Sequence, residues 1–248
     1  MADRIRTSLA LLHDRVIACT ACARLRSYCA GVGTTRRAAF RDWDYWTRPV
    51  PGFGDPRARL WIIGLAPAAH GANRTGRIFT GDRSGDFLYA ALHRAGFANQ
   101  PTSVSRDDGL ELDDCYISAA ARCAPPDNKP SPREIEACAP FLDAEWGLLT
   151  RKRAILALGK IAWDAAMRLA RRHACSGNPS IPRAEFAHGA AAALARDLTL
   201  IGSYHVSQQN TFTGRLTPAM FDDVLVRCRA AFAGAAGKKF RCIRASVT

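Results

Sequence analysis

One polar loop carries several residue types that enzymes use for chemistry. The segment GLAPAAHGANRTGRIFTGD (residues 64–82) directly follows the apolar run RLWIIG and has no regular apolar periodicity. Its imidazole, amide, guanidinium and carboxylate groups belong to His70, Asn73, Arg74, Arg77 and Asp82. A loop this rich in hydrogen-bonding groups, placed directly after a buried strand, indicates one wall of a site built where strands end.

Two further polar loops follow strand-like runs in the same way. CYISAAA precedes RCAPPDNKP (residues 122–130), and LTLIGSYHV precedes the polar stretch from His205 to Arg215. In open parallel sheets, ligands bind outside the carboxyl ends of the strands. We therefore expect these two loops and the loop 64–82 to lie together around one site.

The chain has nine cysteines, which is many for a cytosolic protein. Cys19 and Cys22 form a CxxC at the end of a helical pattern, Cys123 ends a strand-like run, and Cys138 lies in a helical pattern. Cytosolic disulfides are rare, so such clusters indicate a metal site or a catalytic role. The spacing alone leaves an iron–sulfur cluster and a tetrahedral zinc ion both open. We interpret the remaining thiols as buried small apolar side chains or idle groups: Cys29, Cys115, Cys175, Cys228 and Cys242.

The charge balance is strongly basic. Lys and Arg total 35 against 22 for Asp and Glu, which gives a formal net charge of +13. An excess of this size favours a polyanionic partner, most commonly nucleic acid, and Arg pairs bidentately with phosphate. The alternative interpretation is a compositional bias toward Arg that has no functional meaning.

Membrane insertion is not expected. No apolar run approaches the roughly 20 residues of a membrane helix, and the start MADRIRTSLALLHDR has no signal-peptide pattern. We therefore expect a cytoplasmic, nucleoid-associated monomer with no membrane partner.

Strand-like and helical patterns alternate along the chain, which predicts an α/β fold with a parallel sheet covered on both faces. Ser131 and Glu134 form a capping box, with Pro132 at the first helical position, so a helix begins there. We expect one domain over residues 1–248, surface loops at 98–114 and 176–196, and a frayed basic tail at about 236–248.

Three segments together resemble the motifs of the uracil-DNA glycosylase superfamily: GLAPAAHGANRTGRIFTGD, RCAPPDNKPSPREIEAC and SYHVSQQNTFTGRLT. The match is closest to its iron–sulfur branch called type 5, and it runs from about Cys19 to about Val226. The resemblance implies a three-layer α/β/α sandwich with a central four-stranded parallel sheet. It also implies excision of uracil and other deaminated bases, such as hypoxanthine, from DNA.

The resemblance assigns the cysteines of the CxxC and of the second motif to a four-iron, four-sulfur cluster. Its ligands would be Cys19, Cys22, Cys123 and Cys138. Four thiolates leave no open ligand position, so a structural role is expected. A zinc ion bound by the same four residues remains the alternative.

The resemblance also assigns the catalytic groups. Many superfamily members carry an acidic or amide residue just after the first glycine of the loop, where this chain has Leu65 and Ala66. The catalytic role falls instead on Asp82, with His205 as donor to the departing base and Asn128 as a further active-site residue. The alternatives are a turn role for Asp82 and Asn128 and a structural role for His205.

The expected base pocket is formed by Gly64, Ala66, Phe79, Ala119 and His205. A flipped base stacks on an aromatic ring, which is the role expected of Phe79, although a plain core role is its alternative. Related uracil-specific enzymes carry an Asn at the position of Ala119. The loss of that uracil-reading amide implies a broader choice of base.

The DNA contacts are expected from the first and third motifs. Contacts with the DNA backbone are expected from Asn73, Arg74 and Arg77. Contacts from the loop that enters the duplex are expected from Gln208, Gln209, Asn210 and Arg215. A solvated surface charge is the alternative for each Arg. Two rival functions remain: a uracil-only glycosylase of the neighbouring iron–sulfur branch, and a non-catalytic, metal-stabilised DNA-binding protein.

Overall fold

The computed structural model of the protein describes residues 2–174, 181 and 183–233. The expected basic tail at 236–248, together with Cys175 and Cys242, lies outside the described residues. None of the described helices is long and apolar enough to cross a membrane.

The described residues form one mixed sheet of six strands in the order β1-β3-β2-β4-β6-β5. The strands are β1 (Phe53–Gly54), β2 (Leu60–Gly64), β3 (Cys115–Ala119), β4 (Ala154–Leu158), β5 (Ala191–Ala195) and β6 (Leu198–Ser203). The inner four, β3-β2-β4-β6, are parallel, as the sequence predicted. The two edge strands are antiparallel to their neighbours, so the expected count of four strands was too low.

The missed edge strands have weak sequence signals. β1 has only two residues, and β5 is AAALA, in which alanine has little preference for strands. β5 also lies inside the stretch 176–196, for which the sequence predicted a surface loop. It forms a strand because its backbone pairs with β6, an interaction between segments that local patterning does not reveal.

Eight helices accompany the sheet in the described part of the chain. They are α1 (Ala2–Ile17), α2 (Ala23–Thr35), α3 (Ala72–Thr75), α4 (Arg83–Arg94), α5 (Pro132–Leu148), α6 (Lys160–Arg172), α7 (Gln208–Phe212) and α8 (Pro218–Phe232). Two 3₁₀ turns lie at Ala38–Phe40 and Pro126–Asn128. The predicted capping box begins α5: the Ser131 hydroxyl accepts from the Glu134 amide, and the Glu134 carboxylate accepts from the Ser131 amide.

The sheet separates two hydrophobic cores, which confirms the three-layer arrangement. Alternate residues of β2 point to opposite sides. Leu60 and Ile62 join the core formed with α4 and α8, and Trp61 and Ile63 join the core formed with α1, α5 and α6. Because both faces of the sheet are covered, functional groups must emerge at the strand ends.

Parallel pairing continues beyond the strands at the carboxyl edge of the sheet. Gly64 and Ala119 lie opposite each other at the ends of β2 and β3. Beyond them the Ala120 amide donates to the Gly64 carbonyl and the Ala121 amide donates to the Leu65 carbonyl, both at 2.9 Å. The first two functional loops therefore leave the sheet side by side.

A buried ion pair fastens the loop after β3 to α5. Arg122 Nη2 lies 2.6 Å from Glu145 Oε2, and both side chains are at most 1% exposed. The Tyr116 hydroxyl donates to Glu145 Oε1 at 3.4 Å. This pairing holds the segment that carries Cys123 against the helix that carries Cys138.

Candidate active site

A cleft of about 740 Å³ lies at the carboxyl edge of the sheet. Asp82 of the first loop, Asn128 of the second and Gln208 of the third all line it. The structure therefore brings the three sequence motifs to one place, as the strand order requires. A segment between α2 and β1 supplies a further wall through Phe40 and Trp43.

Asp82 occupies the start of α4, at the inner end of the first loop. Its Oδ1 accepts from the amides of Ser84 at 2.9 Å and Gly85 at 3.0 Å, so it is the N-cap of this helix. Its Oδ2 lies against Gly71, where a Cβ would approach it to 1.9 Å. One oxygen is thus committed to the cap, and the carboxylate as a whole is held in one orientation.

The surroundings of Asp82 raise its pKa above the ordinary value, mainly because burial disfavours the charged form. The two backbone hydrogen bonds and the nearby guanidinium of Arg74 act in the opposite direction and support ionisation. Asp82 therefore caps α4 and also lines the cleft.

The ring of Phe79 covers the end of β2. A Cβ on Gly64 would lie 2.8 Å from Phe79 Cε2 and from Phe79 Cζ, so only glycine permits this approach. Phe79 is 5% exposed and adopts a φ of +53°, a backbone conformation that is strained for an aromatic residue. Strain of this kind persists only where the surroundings impose it, and it clusters at functional sites.

His205 lies beside Phe79 at the end of β6. The two ring centroids are 6.2 Å apart with an interplanar angle of 39°. Burial lowers the pKa of His205 to about 4, so its imidazole is neutral at physiological pH. Asn210 Nδ2 donates to the His205 carbonyl at 2.8 Å and fixes the loop that follows.

Small side chains complete the inner part of the site. Ala119 is 1% exposed at the end of β3, opposite Gly64, and it belongs to the same core cluster as Phe79. Ala66 is partly exposed just beyond β2 and packs against the core on the other face of the sheet. Neither side chain can form a hydrogen bond, so the site has no side-chain amide at position 119 that could recognise uracil.

Asn128 lies at the rim of the cleft. It is exposed, and both Asp127 and Asn128 adopt a φ of +55° in the 3₁₀ turn. Asn and Asp tolerate this left-handed conformation better than other non-glycine residues. The structure is thus consistent with a turn role for Asn128 and also places its side chain at the site.

Asn73, Arg74 and Arg77 were expected to contact the DNA backbone. The structure corrects this expectation, because all three side chains are buried. Asn73 Nδ2 donates to the Ala69 carbonyl, and Arg74 donates to the carbonyls of His70 and Gly81.

The Arg77 side chain also bonds to other groups of the protein. Arg77 Nη2 pairs with Asp108 at 2.8 Å and donates to the Ser103 hydroxyl at 3.1 Å. A guanidinium that is 4% exposed and bonded in this way is not available to a phosphate. These residues shape the loop rather than grip DNA.

The third loop presents its side chains outward. Gln208, Gln209 and Arg215 are exposed, and Arg215 lies over the Tyr204 ring at 4.6 Å from the centroid. Asn210 differs from them, because its amide is used inside the loop. Phe212, which was not predicted from the sequence, is 73% exposed in this loop. The feature that could have indicated a role for Phe212 is the single aromatic residue within the polar stretch SQQNTFTGR.

His70 has a partner that was not predicted from the sequence. The Tyr45 hydroxyl lies 3.1 Å from His70 Nδ1, and the two rings meet edge to face. His70 lines the cleft, and burial lowers its pKa. No spacing rule connects residues 45 and 70, so only the fold shows this pair.

The four expected metal-binding cysteines lie on neighbouring elements. Burial, followed by the charges of Cys138 and Cys123, raises the pKa of Cys22 to about 11, so these thiols are close enough to interact. Cys138 likewise interacts with Cys123 and Cys19. Within the described residues no three His, Cys, Asp or Glu side chains converge on the position of a single metal ion.

Two contacts hold the thiols on a shared framework. Arg24 Nη2 lies 2.7 Å from Glu134 Oε2 and ties α2 to the start of α5. The backbone of Arg122 donates a hydrogen bond to Cys138. Arg122 Nε and Nη1 are buried and have no partner in the described structure.

Comparison with known proteins decides the family. The family model of the Uracil DNA glycosylase superfamily matches residues 51–229 of the chain. The protein belongs to this superfamily. A uracil-DNA glycosylase superfamily member is a hydrolase that cleaves N-glycosyl bonds in DNA repair, and the sequence prediction of such an enzyme is confirmed.

Several relatives are similar over most of the chain. A Type-5 uracil-DNA glycosylase of Mycobacterium tuberculosis is 54% identical over 218 residues, which are 88% of this chain and 79% of that protein. A Type-5 uracil-DNA glycosylase of Thermus thermophilus is 50% identical over 212 residues, 86% of this chain and 93% of that protein.

The neighbouring branch matches less of the chain. A Type-4 uracil-DNA glycosylase of Pyrobaculum aerophilum is 35% identical over 131 residues, which are 52% of this chain and 59% of that protein.

The burial of His205 makes a measurable prediction for this uracil-DNA glycosylase superfamily member. In the folded protein its imidazole is expected to stay neutral until about pH 4, whereas an unfolded chain binds this proton near pH ~6.5. The contribution of the neutral His205 side chain to the free energy of unfolding is therefore fully present above about pH 6.5. It is lost as the pH falls toward about 4. The measurement is the NMR titration of the ring carbons, assigned with His205→Gln. A midpoint near 6.5 in the folded state would contradict the burial.

Proposed function

We propose that the protein removes uracil and other deaminated bases, including hypoxanthine, from DNA and so starts base excision repair. The proposal is carried by two groupings at the carboxyl edge of the sheet. Asp82 lines the cleft there, and Phe79, whose ring covers the end of β2, lies beside His205, which follows β6. A carboxylate, an aromatic platform and a neutral imidazole are the three groups that hydrolysis of a base–sugar bond uses.

The reaction breaks the bond between the sugar C1′ and the base nitrogen. Positive charge develops on the sugar ring and negative charge on the departing base. Water then adds to C1′, one of its protons leaves, and the base takes up a proton. The protein must therefore place a negative group near the sugar and a hydrogen-bond donor near the base.

Asp82 is the group proposed to serve the sugar. Its cap bonds to Ser84 and Gly85 fix the carboxylate, so the charge is preorganised rather than free to rotate. Once ionised, it stabilises the positive sugar ring and accepts the proton of the attacking water. Asn128, which lines the same cleft, is proposed to hold this water or the sugar.

His205 and Phe79 are proposed to serve the base. The base leaves the helix and stacks on the Phe79 ring, which can approach the end of β2 because residue 64 is glycine. A neutral imidazole donates one hydrogen bond to a carbonyl oxygen of the base, and this bond strengthens as negative charge develops there.

The third loop is proposed to hold the opened helix. Gln208 and Gln209 offer donors and acceptors to base edges, and Arg215 offers charge to a phosphate. The exposed Phe212 is placed to fill the space that the extruded base leaves, as apolar wedges do between base steps. The net charge of +13 supplies general attraction to DNA.

We propose that Cys19, Cys22, Cys123 and Cys138 hold a four-iron, four-sulfur cluster. Four thiols from neighbouring elements are the donor set that such a cluster requires. Arg122 pairs with Glu145, and its backbone donates a hydrogen bond to Cys138. Its Nε and Nη1 are buried without a partner in the described structure. They would place positive charge near a cluster that carries negative charge. The cluster would supply a structural cross-link between α2, the loop after β3 and α5.

The cluster proposal predicts a brown protein with broad visible absorption. Metal analysis should find iron and inorganic sulfide, and Cys19→Ala should lose both. The matched control is Cys228→Ala, which removes a buried thiol from the core beside α8 and should keep the iron. One zinc and no iron in the wild type would reject the cluster in favour of the zinc alternative.

The role of Asp82 predicts a selective loss of chemistry. Asp82→Asn keeps an oxygen for the amides of Ser84 and Gly85, so the helix cap and the fold should survive. The single-turnover rate of uracil excision should fall by about 10²–10⁴-fold, with DNA affinity unchanged. The control is Asp86→Asn, an exposed carboxylate that also lines the cleft. An Asp82→Asn rate within about threefold of wild type would remove this residue from the mechanism.

The small side chain of Ala119 predicts the choice of base. Wild type should remove hypoxanthine as well as uracil from double-stranded DNA, because stacking accepts any flat ring and no amide selects for uracil. Ala119→Asn should shift the ratio of the two single-turnover rates toward uracil. A wild type that removes only uracil would support the narrower rival function, and one that cleaves neither would support the DNA-binding rival.

A further inference from the structure

The segment between α2 and β1 lies outside all three motifs but forms part of the cleft. We call residues 37–48, RAAFRDWDYWTR, the strap. Arg37, Phe40 and Trp43 of the strap line the same cleft as Asp82. The strap therefore faces any DNA strand that enters the active site.

Two of the strap's aromatic rings, those of Phe40 and Trp43, are held by a buried cation. Arg74 Cζ lies 3.9 Å from the centroid of the Phe40 ring and 4.0 Å from that of the Trp43 ring. Arg74 is 3% exposed, so the rings cover it on these sides. Phe40 and Trp43 are themselves partly exposed, and their remaining accessible surface borders the cleft.

The strap is fixed to the first loop along its length. The amides of Trp46 and Thr47 donate to the carbonyls of Arg74 and Asn73, both at 3.0 Å. The Tyr45 hydroxyl bonds to His70 at 3.1 Å. A platform held in this way loses little conformational freedom when a ligand stacks on it.

Exposed cations accompany the rings. Arg37, Arg41 and Arg48 are all exposed, and Arg48 Cζ lies 4.0 Å from the centroid of the Trp46 ring. Aromatic side chains interleaved with cations are the combination that binds single-stranded nucleic acid, in which bases stack on the rings and phosphates meet the charges.

We propose that the strap is a subsite for an unpaired nucleotide next to the extruded one on the same strand. The base of this nucleotide stacks on the ring surface of Phe40 and Trp43, and its phosphate lies near Arg37. The proposal rests on the proposed function in one respect, namely that the extruded nucleotide enters beside Asp82.

A base inside a duplex is stacked on both sides and cannot reach the strap. The subsite therefore accepts a nucleotide only where pairing is absent or has been opened. It follows that the strap adds affinity for single-stranded DNA beyond the general attraction of a basic protein, and adds little for intact duplex.

The test uses unmodified DNA, so that it does not depend on excision. Fluorescence anisotropy measures binding of the full-length protein to a labelled single strand and to the matching duplex at fixed salt. Trp43→Ala should weaken single-strand binding about 5- to 150-fold, the range expected for loss of one stacked base. Duplex binding should change by less than about twofold, since no charge is removed.

Three further variants separate stacking from folding. Trp43→Phe keeps a ring and should retain most of the affinity. Trp43→Leu keeps apolar cover over Arg74 but cannot stack, so it should lose single-strand affinity even if Trp43→Ala folds poorly. Trp146→Ala removes a tryptophan that stacks on His173, away from the cleft, and should have no effect.

Equal weakening for single strand and duplex, or unchanged binding in both Trp43→Ala and Trp43→Leu, would overturn the proposal. The salt slope of binding should be the same for wild type and Trp43→Leu, because phosphate contacts remain. A wild type that excises no base but loses single-strand affinity in these variants would reject the proposed function and keep the subsite.

Discussion

The contact between Phe79 and the last residue of β2 is the constraint on which the rest of the site depends. The ring can lie on the strand end only because Gly64 has no Cβ. The loop must then turn sharply, and Phe79 accepts a left-handed backbone conformation. Gly85 completes the turn, since a Cβ there would meet the Phe79 carbonyl at 1.9 Å. Through this folding the loop returns to the sheet and delivers Asp82 to the start of α4.

Buried polar groups hold the loop in that shape. Arg77 pairs with Asp108 under the loop, and Arg74 crosses it to reach the carbonyls of His70 and Gly81. Charged groups are costly to bury unless they are paired or hydrogen-bonded, and breaking such pairs costs more than forming them gains. These arginines therefore define the loop conformation, while the exposed cations of the strap and of the third loop remain available for phosphate.

The polar groups of the site are divided by burial. Asp82 and His205 lie where burial shifts the pKa of each toward its neutral form, and only Asp82 has hydrogen bonds that support its charge. The site can thus combine one negative group with one neutral donor at the same pH. The exposed rim, with Asn128, Gln208 and the strap, lies outside this buried environment and borders the cleft.

The sequence by itself determined the class of fold, the inner four strands and the three loops of the site. These depend on local signals: apolar runs, a capping box, and motifs whose residues are close along the chain. It did not reveal β5, because AAALA becomes a strand only by pairing with β6. It also placed Arg74 and Arg77 on the surface, since composition does not show whether a cation has an internal partner. The strap and the Tyr45–His70 pair were decided by tertiary structure alone, because their contacts join segments about 25 to 35 residues apart in sequence that no spacing rule relates.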